Sequence, residues 1–177
     1  MKSSTKLWER ITASATLGLA FATVWLAVET RNLARDWRNT SDKQVGVRTW
    51  LTLIARFDSN EMTLARKTLA TQLENYNSNN HDNISEGVLD LFEDIGTLYN
   101  EGLLDKHLAA SSFSYFATRW WEAAQPYIAE ERRRHEADPT IFQEFEKFAK
   151  AMRQPGEKID AAELSRFLTD EKNAKIQ

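Results

Sequence analysis

Four charged side chains lie on or beside the apolar faces of predicted helices. Arg66 lies on the apolar face of one helix, and Arg119 precedes a tryptophan pair on another. Glu93 and Asp94 lie beside the apolar stripe of a third helix. In the sequence, this helix comes between the helix of Arg66 and the helix of Arg119. A charge near a core costs free energy unless an opposite charge compensates it. We therefore predict that the four side chains meet as a buried or half-buried ion-pair network.

Two neighbouring carboxylates can also perform acid–base or metal chemistry, so a hydrolase that uses Glu93 and Asp94 is an alternative. Structural pairing is the commoner role of such charges, and it is the interpretation that we favour. His81, with Asp82, could bind a metal loosely, but a solvated loop histidine fits its polar surroundings better. The sequence thus predicts no catalytic, cofactor-binding or metal-binding residues, no cofactor, and a protein that is not an enzyme.

The composition excludes further classes of function. The chain has 177 residues, no cysteine and a net charge of −3, which is too mild to indicate a nucleic-acid partner. The few glycines form no phosphate-binding loop and no nucleotide fingerprint. Nineteen aromatic residues, made up of 6 Trp, 4 Tyr and 9 Phe, recur at helical spacing and indicate a packed core.

The longest uncharged run, residues 11–28, is predicted to be a transmembrane helix. At about 1.5 Å per residue it spans about 27 Å, close to the hydrocarbon thickness of a bilayer. A core helix of a soluble bundle and a cleaved signal peptide are the alternatives. Ser14, Gly18 and Ala22 form a small-residue face that would suit helix packing within a membrane dimer. Basic residues after the span slightly favour a cytoplasmic C-terminal domain.

A heptad-like seam follows the predicted span. Its members alternate at spacings of four and three residues: Leu33, Trp37, Thr40, Gln44, Val47, Leu51 and Ile54. In one interpretation the segment is a solvated connector, and Trp50, Leu51, Ile54 and Phe57 join the core of the domain. In the other, it is a short parallel coiled coil below a transmembrane homodimer.

The rest of the chain shows helical periodicity and no convincing strand, so the fold class is all-α: an N-terminal transmembrane helix extended into a bundle of about five to six helices. Predicted N-caps punctuate it at Asp58, Ser85, Asp105, Asp138 and Asp160. Pro126 either kinks the fourth helix or begins a new segment. The predicted organisation is a flank at 1–10, the span at 11–28, a connector at 29–48, a core domain at 49–137, and C-terminal helices with a tail at 138–177.

Several short blocks carry a resemblance to a known family. They are Trp50-Leu51, Arg56-Phe57-Asp58-Ser59, Ala65-Arg66, Leu91-Phe92-Glu93-Asp94-Ile95-Gly96, Gly102-Leu103-Leu104-Asp105, Phe113-Ser114-Tyr115, Arg119-Trp120-Trp121 and Pro126-Tyr127-Ile128. In order and spacing, this set resembles a bacterial family known as domain of unknown function 4760, over about residues 50–133. The resemblance implies a helical bundle, usually tethered to a membrane, and it supplies no catalytic residues.

These observations favour a single-pass protein of the bacterial inner membrane with a non-catalytic helical interaction or sensing domain. A membrane-associated effector in stress or phage defence is the second hypothesis, and the carboxylate-dependent hydrolase is the third. The expected partners are the lipid bilayer, a second copy through the transmembrane helix, and a protein whose identity the sequence does not indicate.

Overall fold

The computed structural model describes residues 29–30, 45–77 and 81–176 of the chain. The chain divides into two compact units, Met1–Gln44 and Val45–Gln177. In the first unit only residues 29–30 are described, and they are helical. The predicted span at 11–28 and its face of Ser14, Gly18 and Ala22 lie outside the described residues. Within the described ranges, no helix combines the length and the apolar character needed to cross a membrane.

The second unit is all-α, as predicted, and its described residues contain six helices and no strand. Helix α1 covers residues 45–57, and residue 45 is the first residue of this unit that the structure describes. The others are α2 (Asn60–Glu74), α3 (Gly87–Asn100), α4 (Lys106–Arg134), α5 (Gln143–Met152) and α6 (Ala161–Lys172), with a short 3-10 turn at His81–Asn83.

Among the described helices, α3 and α5 share an extensive and close contact. A Cβ atom added at Gly96 of α3 would lie 2.4 Å from the carbonyl oxygen of Glu144 in α5, so only glycine permits this approach. Helix α5 also packs on α4, while α6 packs mainly on α2. The two C-terminal helices therefore belong to the same compact unit as the helices before them. The largest fully buried side chains include Trp120, Phe92, Phe113, Phe145, Phe148 and Phe167.

Two of the predicted caps are confirmed. Asp105 accepts hydrogen bonds from the amides of His107 and Leu108 at 2.9 and 3.0 Å, and Asp160 accepts one from the amide of Glu163 at 2.8 Å. Each aspartate satisfies first-turn donors that have no partner inside their own helix.

The other predicted helix starts need correction. Ser59, rather than Asp58, caps α2, and Glu86, rather than Ser85, precedes α3. Helix α5 begins at Gln143 and not at Asp138, because the chain first makes a turn that ends with Phe142 in the left-handed region (φ 53°). Pro126 lies inside α4, which continues through it as one helix.

Helix α1 places one face on the core and leaves another exposed. Leu53 and Phe57 are buried, and Trp50 is half-buried and donates from Nε1 to the Ser112 hydroxyl at 3.0 Å. Leu51 is 54% exposed, so the expectation that it joins the core is wrong. Val47, one turn earlier, is 44% exposed on the same side of the helix.

Candidate functional site

Arg66 of α2 is buried, at 8% exposed, as its position on an apolar face suggested. Its guanidinium carbon lies 4.3 Å above the centre of the Phe57 ring and 5.8 Å from that of Phe116. Its ionic partner is Glu171 of α6, whose Oε2 lies 3.5 Å from Arg66 Nε. Neither Glu93 nor Asp94 pairs with it, so the predicted network is wrong about the partner of this arginine.

The pair formed by Arg66 and Glu171 is a Coulombic contact without good hydrogen-bond geometry. Arg66 Nε and Glu171 Oε2 have no hydrogen-bond partner among the described residues, although both atoms are buried. Burial raises the pKa of Glu171, and the guanidinium of Arg66 offsets this with a smaller lowering effect. The contact therefore leaves part of the desolvation cost of both ions uncompensated.

Arg119 of α4 makes a second contact with the C-terminal segment. It forms ion pairs with Glu163 of α6 and, at 3.8 Å, with Glu157 of the preceding loop. Its guanidinium carbon lies 3.8 Å from the centre of the Tyr115 ring, and Nη1 donates to the Tyr115 carbonyl at 3.1 Å. This arrangement holds the cation flat against an aromatic ring.

An open cavity of about 500 Å³ adjoins Arg119. Its lining combines α4 with the loop between α5 and α6: Ser114, Tyr115, Arg119, Met152, Gln154, Pro155, Gly156 and Glu157. The loop therefore spans this space without filling it.

Helix α6 lies in a groove that contains both arginines. We call it the α6 groove and define it by Arg66, Tyr115, Arg119 and Trp120. Phe167 of α6 is 2% exposed, and its ring centre lies 5.0 Å from that of Trp120 and 6.0 Å from that of Tyr115. The groove thus offers two cations and two aromatic rings to a single helix.

Glu93 has a different role from the predicted one. Its two carboxylate oxygens accept hydrogen bonds from the backbone amides of Glu144 and Phe145 at 3.2 and 2.7 Å. A side chain of α3 therefore caps the first turn of α5, where an anion also meets the positive end of the helix dipole. Asp94 lies next along α3, about 100° further round the helix. It pairs instead with Arg56 at 3.0 Å, in a contact where both side chains are about half exposed or more.

The four predicted charges consequently do not meet in one network. Arg66 and Arg119 both contact α6, Glu93 contacts α5, and Asp94 contacts α1. The sequence did not reveal Glu163 and Glu171 as partners, because neither is near either arginine along the chain. The spacing of the two acids along one face of an amphipathic helix was the available signal.

His81 forms a second polar cluster that the sequence did not suggest. It is 4% exposed, so the expectation of a solvated loop histidine is wrong. Its Nδ1 lies 3.0 Å from the Tyr76 hydroxyl, its Nε2 contacts Glu131, and its ring lies 4.7 Å from that of Tyr127. Glu131 also contacts the exposed His135 at 2.8 Å.

This histidine cluster ties the α2–α3 loop to α4. Tyr127 donates a hydrogen bond to Glu86, and burial together with that bond raises the pKa of Tyr127. Within the described residues, no three histidine, cysteine or acidic side chains are arranged to hold a metal ion. The contacts of the cluster join elements that are distant in sequence. Its polar groups therefore have a structural role.

Comparison with known proteins bears on the origin of the domain. Residues 10–152 match the family described as Domain of unknown function (DUF4760). No curated protein and no solved structure matches the chain. The family match ends at the last residue of α5, so the walls of the α6 groove lie inside it and α6 lies beyond it. Because the match covers well over half of the 177 residues, the chain belongs to the DUF4760 family.

Proposed function

We propose that the protein is a membrane-tethered, non-catalytic interaction or sensing module that self-associates through α1. The observation that carries this proposal is the exposed apolar stripe on α1. Val47 and Leu51 are 44% and 54% exposed, one helical turn apart, while Leu53 and Phe57 of the same helix are buried in the domain. Two large apolar side chains exposed one turn apart offer a surface that another helix can cover.

The sequence pattern favours a second copy of the chain as the occupant of this stripe. Val47 and Leu51 continue the heptad seam that begins at Leu33, and such a seam suits pairing with an identical helix. A tether at the same end of both copies requires the two helices to run parallel.

The charges beside this seam make the pairing weak without the tether. Lys43 and Arg48 occupy positions that face each other across a parallel pair, where like charges repel. Confinement to a bilayer would supply the effective concentration that this weak pairing requires.

The proposed tether is the uncharged run at residues 11–28, in the inner membrane of a bacterium, with the helical domain on the cytoplasmic side. Its length and lack of charge support this assignment. Carbonate extraction should leave the full chain in the membrane pellet and release a chain that lacks residues 1–30. If both chains are released, the run does not anchor the protein.

The contacts of the Glu93 and Asp94 carboxylates support a non-catalytic role. Both oxygens of Glu93 are engaged by backbone amides of α5, and Asp94 is engaged by Arg56. A general acid or base directs a lone pair or proton at a substrate, whereas Glu93 directs both of its oxygens at backbone amides of α5.

Disulfide crosslinking in isolated membranes tests self-association, because the chain has no cysteine of its own. Val47→Cys should give a disulfide-linked dimer under mild oxidation, since the two thiols would meet across the parallel pair. Thr52→Cys is the matched control, because Thr52 is exposed on α1 but faces away from the stripe. Equal crosslinking of the two variants, or none at position 47, would show that α1 does not pair through this face.

A further inference from the structure

The function proposed above gives no role to the contact between the α6 groove and helix α6, which occupies it. Helix α6 lies outside the family match, which ends at residue 152, and eight residues, Arg153 to Asp160, join it to α5. Eight extended residues can reach about 26 Å, so this connection permits α6 to leave the groove while the rest of the domain stays folded.

The groove requires an acidic occupant. Arg66 and Arg119 are the two cations of its walls, and their ion-pair partners among the described residues are Glu171, Glu163 and Glu157. All three carboxylates lie beyond the family match. A buried guanidinium cannot lose its proton, so an apolar helix in this groove would leave both charges uncompensated.

Helix α6 presents the complementary pattern on one face. Glu163, Phe167 and Glu171 follow each other at intervals of four residues, which places them in a row along the helix. The two acids meet the two arginines, and Phe167 between them packs on Trp120. The groove therefore recognises both the charge and the spacing of its occupant.

The fit of α6 is incomplete. Four buried polar atoms at this contact have no hydrogen-bond partner among the described residues: Arg66 Nε, Arg119 Nε, Trp120 Nε1 and Glu171 Oε2. The cavity of about 500 Å³ lies beneath the adjoining loop. Both features weaken the docking of α6 relative to the close contact between α3 and α5.

We propose that the α6 groove is a recognition site for an acidic amphipathic helix, that α6 occupies it as an internal ligand, and that α6 of a second copy is its occupant in trans. The inference rests on the proposed function, because pairing through α1 would bring the second α6 within reach. Exchange of α6 between paired copies would then couple the two domains, and docking within one copy would block the groove.

A labelled peptide of residues 159–177 tests the proposal when titrated against the full chain in detergent and followed by fluorescence anisotropy. The receiving chain is either wild type or carries Glu163→Gln with Glu171→Gln, which weakens its own α6 but keeps Phe167. We expect this double variant to bind the peptide about tenfold more tightly than the wild type, because the internal competitor is weaker. Equal affinities, or no binding to either chain, would overturn the proposal.

Two controls locate the binding. A peptide that carries Glu163→Gln and Glu171→Gln should bind much more weakly, and Arg66→Met in the receiving double variant should reduce binding of the natural peptide. Undiminished binding in either case would place the peptide elsewhere and also overturn the proposal.

Hydrogen exchange on the wild-type chain keeps the proposal testable if the double variant does not fold. Amides of α6 should exchange through a local opening, faster than the buried amides of α3 and α5. Exchange of α6 only by global unfolding would contradict a detachable helix. Crosslinking at Val47→Cys reads out pairing through α1 independently, so failure of peptide binding with crosslinking retained refutes the groove and not the proposed function.

Discussion

Removing one partner of the buried pair between Arg66 and Glu171 should destabilise the domain far more than replacing both. The variants are Arg66→Met, Glu171→Leu and the combination of the two. Each substitution keeps much of the side-chain volume, so the comparison isolates the charge. At 8% and 7% exposed, both residues are shielded from the water that would otherwise stabilise a lone ion.

The magnitude follows from the separation of the two charges. At 3.5 Å and an effective dielectric constant of about 20, the attraction is about 5 kcal/mol, and desolvation of the two ions offsets most of it. Loss of either partner leaves the other ion buried and should cost about 3 kcal/mol, whereas the double variant should lie within about 1 kcal/mol of wild type. Glu171→Leu should cost more than Arg66→Met, because an unpaired carboxyl can take up a proton and an unpaired guanidinium cannot release one.

Thermal unfolding of the full chain in detergent, followed by circular dichroism, measures these costs. At about 4 °C per kcal/mol for a domain of this size, each single variant should lower Tm by about 12 °C. The double variant should recover most of that loss. Strictly additive effects of the two substitutions would refute the pairing, and an unchanged Tm for Arg66→Met would refute its burial.

Further substitutions, each paired with a control, test other contacts. In thermal melting, Gly96→Ala should destabilise the fold by about 3 kcal/mol, since its Cβ would meet the backbone of α5 at 2.4 Å. Gly87→Ala is the control and should be neutral or slightly stabilising, because a Cβ atom at this position has nothing within 4 Å. Glu93→Gln should cost about 1 kcal/mol and speed hydrogen exchange at the start of α5, while Asp94→Asn should cost under about 0.5 kcal/mol.

Some features that depend only on neighbouring residues were predictable from the sequence, although the starts of α2 and α3 were each placed one residue early. Asp105 and Asp160 cap their helices because a short acidic side chain reaches amides only two or three residues ahead. The burial of Arg66 followed from its position on an apolar helical face. Both inferences need only the geometry of a single helix.

Features that depend on distant residues were not predictable from the sequence. The start of α5 was assigned to Asp138 because an aspartate before a proline is a strong local signal. In the structure Glu93 of α3 supplies the cap, and α5 begins where its amides reach that carboxylate. Asp138 instead accepts hydrogen bonds from Thr140, which stabilises the turn before the helix. A cap contributed by another helix leaves no trace in the local sequence.

His81 illustrates the same limit from the opposite direction. It follows a polar stretch rich in asparagine, which predicts exposure. Glu131, which contacts Nε2, and Tyr127, whose ring lies 4.7 Å away, both come from α4 and remove His81 from solvent. A histidine becomes an interior residue when a folded neighbour satisfies its nitrogens, and sequence spacing does not report that neighbour.

The free energy that docks α6 in its groove limits the cost of breaking the ion pair between Arg66 and Glu171. The same free energy determines how often α6 would leave the groove. If α6 leaves the groove, water solvates Arg66, so the cost of losing the Glu171 carboxylate cannot exceed the free energy that docks α6. Glu163, Phe167 and Glu171 all act through the same docking step. Substitutions of these three residues should therefore approach a common limit instead of adding. Gly96→Ala acts at the contact between α3 and α5, outside this docking step, so its cost is not bound by the same limit.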